Sequence, residues 1–219
     1  SEIKALWPLP WMDKKISRLA SYHYYTFMVA PSPTTIFEGV YKLPAGFYCH
    51  VDANKNVNFK EWYSPINCLK TPVEKNYYDE QFCVEGVQAL ISDSVKKRML
   101  ADVPVGAFLS GGLDSSLIVA LMAKQTSQLK TFNISFEGFA ERDERKWARL
   151  VASKFGTNHQ EIILTQKDAA NFYEQMLEQL DEPLADPVCI PFYFLSKAAQ
   201  KAGVPVVQVG EGADELFFG

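Results

Sequence analysis

From Thr71 onward the sequence predicts an α/β fold, a doubly wound and mainly parallel sheet with helices on both faces. Two observations predict it. Short apolar runs of strand length alternate with helical periodicities, the pattern of strands joined by crossover helices. Two glycine-rich stretches, at 110–116 and 210–219, each follow a strand, at the carboxyl edge where such sheets bind ligands.

Before residue 70 the signals differ. Helical pattern is brief, over 13–24, and gives way to a stretch rich in proline and aromatics. Alternation over 46–51 and 57–62, separated by Asp52-Ala53-Asn54-Lys55-Asn56, predicts a hairpin. Residues 76–100 carry Phe82, Val84, Val87, Ala89, Leu90, Ile91, Val95 and Met99, which suit one long amphipathic helix. Strands follow at 103–109, 131–136, 159–164 and 204–209. Helices are expected between and around them at 115–125, 143–155, 168–180 and 191–202. The stretch 180–187 contains prolines that cannot continue a helix, so it reads as a loop carrying Asp181, Glu182 and Asp186.

Composition excludes several classes. A net charge of −4 over 219 residues leaves no bulk electrostatic footprint for nucleic acid. Lys96-Lys97-Arg98 closes a helical pattern, where cations complement the helix dipole. No apolar run approaches the ~20 residues of a membrane span, and the first residues lack a signal-peptide core, so a soluble, cytoplasmic protein is expected. Cys49, Cys68, Cys83 and Cys189 are too irregularly spaced for a zinc clamp and read as reduced, mostly buried residues. His23, His50 and His159 have no metal-binding spacing.

Ser110-Gly111-Gly112-Leu113-Asp114-Ser115-Ser116 carries the most chemistry. Two glycines leave backbone N–H groups unshielded, three hydroxyls add donors, and a helix N-terminus supplies partial positive charge, which together suit an oxyanion such as phosphate. The stretch lacks the Gly-Lys-Ser/Thr ending of a Walker A loop and the three spaced glycines of a dinucleotide fingerprint. Asp114 would repel phosphate unless Mg²⁺ lay between them. It also suits the N-cap of the following helix, and both readings can hold. Gly210-Glu211-Gly212-Ala213-Asp214-Glu215 places three carboxylates directly after an apolar strand. A second metal ligand accounts for them, and a solvated acidic turn is the alternative.

The Ser-Gly-Gly-Leu-Asp-Ser-Ser pattern resembles the PP-loop, or N-type, ATP pyrophosphatases (adenine nucleotide alpha hydrolase-like), in the version found in the synthetase domain of glutamine-hydrolysing asparagine synthetases. Three further segments agree, in order: Pro33-Thr34-Thr35-Ile36-Phe37-Glu38-Gly39 with Lys42-Leu43-Pro44-Ala45-Gly46; Asp181-Glu182-Pro183 with Asp186-Pro187; and Gly210 to Phe217. The resemblance spans nearly the whole chain. It implies ATP and Mg²⁺, with Leu109, Ser110, Gly111, Gly112, Leu113, Asp114, Ser115, Ser116, Ile134, Val209 and Gly210 at the nucleotide and Asp114 and Asp214 on the metal. Glu211 would act catalytically on the nitrogen nucleophile, and the main chain of Ile134 would meet adenine. It implies adenylation of a carboxylate, most simply the aspartate side chain, with pyrophosphate leaving. Ammonia from a glutaminase domain outside this chain would then give the amide and AMP. Asp186 would take an interdomain or amino-acid-binding role, or cap a turn. Glu144 matches an acidic family position, with a helix-start role as its default, and Glu215 has no role. The resemblance leaves room for a homodimer in the full-length protein and implies no nucleic acid or membrane partner.

The departures are few. Val209 stands where the family has serine, and Phe218 where glycine is common. The family's glutaminase domain begins with a nucleophilic cysteine, whereas this sequence begins Ser1-Glu2. An internal fragment is therefore expected, inactive in isolation, with 1–70 a linker and hairpin segment that would follow a glutaminase domain. Residues 71–219 would form a synthetase domain lacking its C-terminal part and the lysine it carries, and would expose apolar surface on that side. Related readings are a β-lactam-forming, sugar-acid-amidating or nucleotide-amidating PP-loop enzyme, or a catalytically incomplete ATP-binding module. A tRNA-thiolating enzyme is disfavoured by the absence of paired cysteines and of a basic face.

Overall fold

The computed structural model describes residues 2–68, 79–138 and 143–217. They divide into two compact units, 1–75 with 174–186, and 76–173 with 187–219. The change of pattern expected near residue 70 lies outside the described residues.

In the first unit a 3-10 turn, Ile3–Leu6, precedes helix α1, Arg18–Phe27. The Ser17 hydroxyl caps α1 by accepting from the Ala20 N–H at 3.2 Å. The helix starts five residues later than the 13–24 pattern suggests, because the preceding residues are already paired. Ile16 bridges Phe37, and the Ser17 N–H donates to Ile36 O at 2.8 Å. Strands β1 (Phe47–Val51) and β2 (Val57–Glu61) form the expected antiparallel hairpin. The Asp52 carboxylate closes its turn by accepting from the N–H groups of Asn54 and Asn56. A short helix α2, Pro65–Cys68, follows. Ala20, Ala30 and Ile36 form a small core.

The second unit runs through α3 (Glu80–Arg98), β3 (Val105–Phe108), α4 (Leu113–Ala123), β4 (Lys130–Phe136), α5 (Arg145–Phe155), β5 (Asn158–Leu164), α6 (Gln166–Gln179), α7 (Cys189–Lys201), β6 (Val206–Gln208) and α8 (Ala213–Phe217). The end of α6, from Glu174, groups with the first unit. The strands pair in the order β5-β4-β3-β6, all parallel. Alternate side chains leave opposite faces of a strand, so each face has its own core. Ala107 and Leu109 pack with Val119 and Met122 of α4, Ala148 and Ala152 of α5 and Val95 of α3. Phe108 and Phe132 pack with Leu195 and Ala199 of α7 and with Val204. Burying side chains such as Phe132, Leu109 and Met122 contributes about 1.5–3 kcal/mol each. The doubly wound parallel α/β fold is therefore present.

Several boundaries differ from the sequence pattern. The first and last strands are shorter, since Val103 and Val209 are exposed flanking residues. Helix α4 begins at Leu113 with Gly112 as its N-cap, so Asp114 lies inside the first turn and does not cap it. The stretch after Gly212, read from the sequence as loop, winds into α8. Of the apolar residues on α3, Val95 is buried and Ile91 and Met99 pack against the core, while Phe82, Val84, Val87 and Leu90 are exposed. Three of the cysteines are less buried than expected. Cys49 lies on the exposed hairpin, and Cys83 and Cys189 are half-buried.

Candidate active site

The strand order fixes where a ligand cleft forms. Chain progress from β3 to β4 to β5 runs one way across the sheet, and β6 returns on the other side of β3. The connections therefore diverge between β3 and β6, the switch point at which open parallel sheets leave a crevice beyond their carboxyl ends. The two glycine-rich stretches follow these two strands.

Packing brings them together. A Cβ at Gly210 would lie 2.7 Å from Ser115 N and 2.8 Å from Asp114 C, so the chain leaving β6 touches the first turn of α4, and only glycine permits it. Gly111 adopts φ +91, and a Cβ there would meet Ala148 N at 2.5 Å, so the first loop is seated on α5. Ser110 Oγ accepts from the Gly112 N–H at 3.2 Å and lies 3.0 Å from Ser115 Oγ, which holds the loop in a tight curl. The Leu109 N–H donates to Phe132 O, and the Asn133 amide donates to Leu109 O at 2.8 Å, tying the loop's entry to β4.

A cavity of about 320 Å³ opens at this junction. It gathers Leu109, Ser110, Ser115, Ile134, Val209, Gly210 and Glu211, seven of the residues singled out from sequence. Phe108, Phe132, Phe192 and Leu195 form an apolar end, and Glu144 reaches its rim. Gly111, Gly112, Leu113 and Ser116 are not in its wall, and Leu113 is largely exposed. Asp114 lines a second cavity together with Glu211, and a third with Asp214. The two aspartates thus share a wall, each in the first turn of a helix. Among the described residues no group of three or more His, Cys, Asp or Glu side chains is placed to hold a metal ion.

The sequence pattern missed Asn133, while Glu144, expected at a helix start, also lines the cavity. Asn133 is buried, with its Oδ1 facing no partner while its amide supports Leu109. The available signal was an amide among the alternating polar residues Thr131, Asn133 and Ser135 of the strand that follows the first glycine loop and its helix. Glu144 occupies the N-cap position of α5, but its side chain makes no cap bond. Its neighbour Asp143 is held down at about 2, chiefly by side-chain hydrogen bonds from Arg145.

An open parallel α/β domain with its cleft at the switch point, walled by two glycine turns, is the class that this fold and site define. The asparagine synthase family model matches residues 86–219, and a glutamine amidotransferase domain model matches residues 1–63. The chain belongs to the asparagine synthase family. It is 36% identical over 209 residues to asparagine synthetase [glutamine-hydrolyzing] 1 of Bacillus subtilis, covering 94% of this chain and 32% of that protein. It is 30% identical over 182 residues to an asparagine synthetase [glutamine-hydrolyzing] of Triphysaria versicolor, covering 78% and 30%. The chain thus spans about a third of the length of these curated relatives. Among solved structures it is similar to an NH3-dependent NAD synthetase from Campylobacter jejuni, with TM-score 0.45, 14% identity and coverage of 60% of this chain and 58% of that one. Among the described residues, no helix is long and apolar enough to cross a membrane.

Proposed function

We propose that this chain carries the nucleotide-binding and carboxylate-activating part of a glutamine-dependent asparagine synthetase. The contact of Gly210 with Asp114 and Ser115 carries this reading, because it joins a phosphate-cradling turn and an acidic turn into one site. ATP fits with adenine at the apolar end between Phe108 and Ile134, and with its phosphates toward Ser110, Ser115 and the N-terminus of α4. That helix end and the loop's N–H groups stabilise charge growing on departing pyrophosphate.

Asp114 and Asp214 suit Mg²⁺, which commonly takes one or two carboxylates and fills its remaining positions with water and phosphate oxygens. The ion, when bound, neutralises charge on the phosphates. Glu211, on the wall shared by the first two cavities, is positioned to take a proton from an amine nucleophile attacking the acyl-adenylate. Aspartate is the proposed acceptor and ammonia the nucleophile, with AMP and asparagine as products. The match of residues 1–63 supports glutamine as the source of ammonia. We assign those residues to the end of the amidotransferase part, and the second unit to the synthetase part.

Aspartate-dependent exchange of labelled pyrophosphate into ATP tests the first half-reaction. Exchange should require Mg²⁺ and fall by about 100-fold or more in Asp114→Asn, the loss of a preorganised charge-stabilising group. Exchange that runs equally well in that variant would remove Asp114 from the metal.

A further inference from the structure

Two donors compete for one carbonyl at the end of β3, and Asn133 decides between them. The N–H and C=O of a strand residue point to the same neighbouring strand, and those of the next residue point to the opposite one. In β4 the odd-numbered residues face β5, since Leu129 O accepts from the Asn158 N–H at 2.8 Å and the Glu137 N–H donates to Leu164 O at 3.0 Å. The even-numbered residues face β3, where Phe132 O accepts from the Leu109 N–H at 2.8 Å. A regular parallel ladder would next join the Ile134 N–H to Leu109 O. Among the described residues that backbone bond does not form. The side-chain amide of Asn133 donates to Leu109 O in its place, at 2.8 Å.

Asn133 is 3% exposed, and its Oδ1 has no partner among the described residues. A buried acceptor without a donor is a cost that a leucine at this position would avoid, so the donor is what this side chain supplies. With Leu109 O occupied, β3 ends at Phe108 and its chain turns away into the glycine loop. The Ile134 N–H and C=O still point to that side, and Leu109, Ser110 and Ile134 all line the 320 Å³ cavity that opens there. One main-chain donor beside one main-chain acceptor matches the Watson–Crick edge of adenine, whose N1 accepts and whose N6 amine donates. Hypoxanthine presents the opposite pair, an N1–H donor and a carbonyl acceptor. We propose that Asn133 is a positioning residue that keeps the Ile134 main chain open to the edge of the base and so sets the preference of the cavity for adenine. This rests on the reading of that cavity as the ATP site.

Amide hydrogen exchange on the whole chain, beside calorimetric titration with Mg·ATP and with the inosine triphosphate complex, tests the proposal. In the wild type the Ile134 N–H should exchange about tenfold or more faster than the bonded Leu109 N–H, and should slow when ATP is added. In Asn133→Leu the Ile134 N–H should be protected before any nucleotide is present, because it closes onto the vacated Leu109 O. The same variant should bind ATP about tenfold more weakly and inosine triphosphate within about twofold of wild type, the loss of one net hydrogen bond to the base. An equal loss for both nucleotides, or a lowered melting temperature with the ATP Kd unchanged, would reduce Asn133 to a structural role and overturn the proposal. Should Asn133→Leu fail to fold, the wild-type protein still decides, since an Ile134 N–H as protected as that of Leu109 without nucleotide would overturn it too. Wild-type protein that shows this base preference but never performs aspartate-dependent pyrophosphate exchange would remove the proposed function alone. Pyrophosphate exchange in the wild type, with base preference unchanged in Asn133→Leu, would remove the positioning role alone.

Discussion

The turn after β3 and the turn after β6 meet at one point of the sheet, yet they are held in different ways. Ser110 to Ser116 is held at several points. Gly111 is pressed onto α5, Ser110 and Ser115 face each other, and Leu109 is bonded to β4 on both its N–H and its carbonyl. The β6 turn has a single close approach, at Gly210, and beyond it Gly212 stands in open space while Glu211, Asp214 and Glu215 are exposed. A phosphate cradle works only if its N–H groups already converge before the ligand arrives. Carboxylates that gather a cation need less prior order, because the ion itself draws them together.

Substitution at the three glycines separates these cases. Gly111→Ala combines a left-handed backbone with backbone overlap at 2.5 Å, and should cost about 3 kcal/mol of unfolding free energy in urea titration. Gly210→Ala meets Ser115 N at 2.7 Å with an unstrained φ. It should cost about 2 kcal/mol. Its more telling effect is a loss of ATP affinity of about tenfold in calorimetry, as the turns are forced apart by an amount worth some 1.4 kcal/mol. Gly212→Ala has only its φ of +89 to contend with. It should cost about 1 kcal/mol and leave ATP affinity unchanged. If Gly212→Ala weakened ATP as much as Gly210→Ala, the β6 turn would be as tightly preorganised as the first.

The smallest effect concerns the backing of the first turn. Helix α5 is tied to β5 by Arg149, which grips Glu161 at 2.5 and 2.6 Å. Beside Glu161, His159 shares a 2.9 Å contact with the Thr131 hydroxyl. Burial holds the His159 imidazole below its ordinary 6.5, against the opposing pull of Glu161. The unfolded chain therefore takes up this proton first, and stability should decline as pH falls below 6.5, levelling once the folded value is passed. Glu161 is kept below its ordinary 4.5, chiefly by the hydrogen bonds from Arg149, so its own loss comes at lower pH. Urea midpoints between pH 7 and 5 should slope in the wild type and flatten in His159→Gln.

Local pattern was enough for most of the architecture. The hairpin at β1 and β2, the four parallel strands and the positions of both glycine turns follow from alternation and turn chemistry that act over a few residues. Ends were less legible. Helix α1 starts late because residues 15–17 pair with a segment some twenty residues away, and α8 winds where the glycines suggested loop. The Asp181–Glu182 motif was visible as an acidic loop, but its pairing was not, since both acids find their partners 140 or more residues distant in sequence.

The sequence by itself determined the class of sheet, the chemistry of the two turns and the family resemblance, because these reside in residue types at short, fixed spacing. The tertiary structure alone decided that Gly210 rests on Asp114 and Ser115, that Asn133 and Glu144 reach the same cavity, and that Asp181 and Glu182 accept from the N–H groups of Lys4 and Ile36. Such facts depend on the strand order β5-β4-β3-β6 and on chain crossings over long separations, which no local periodicity encodes.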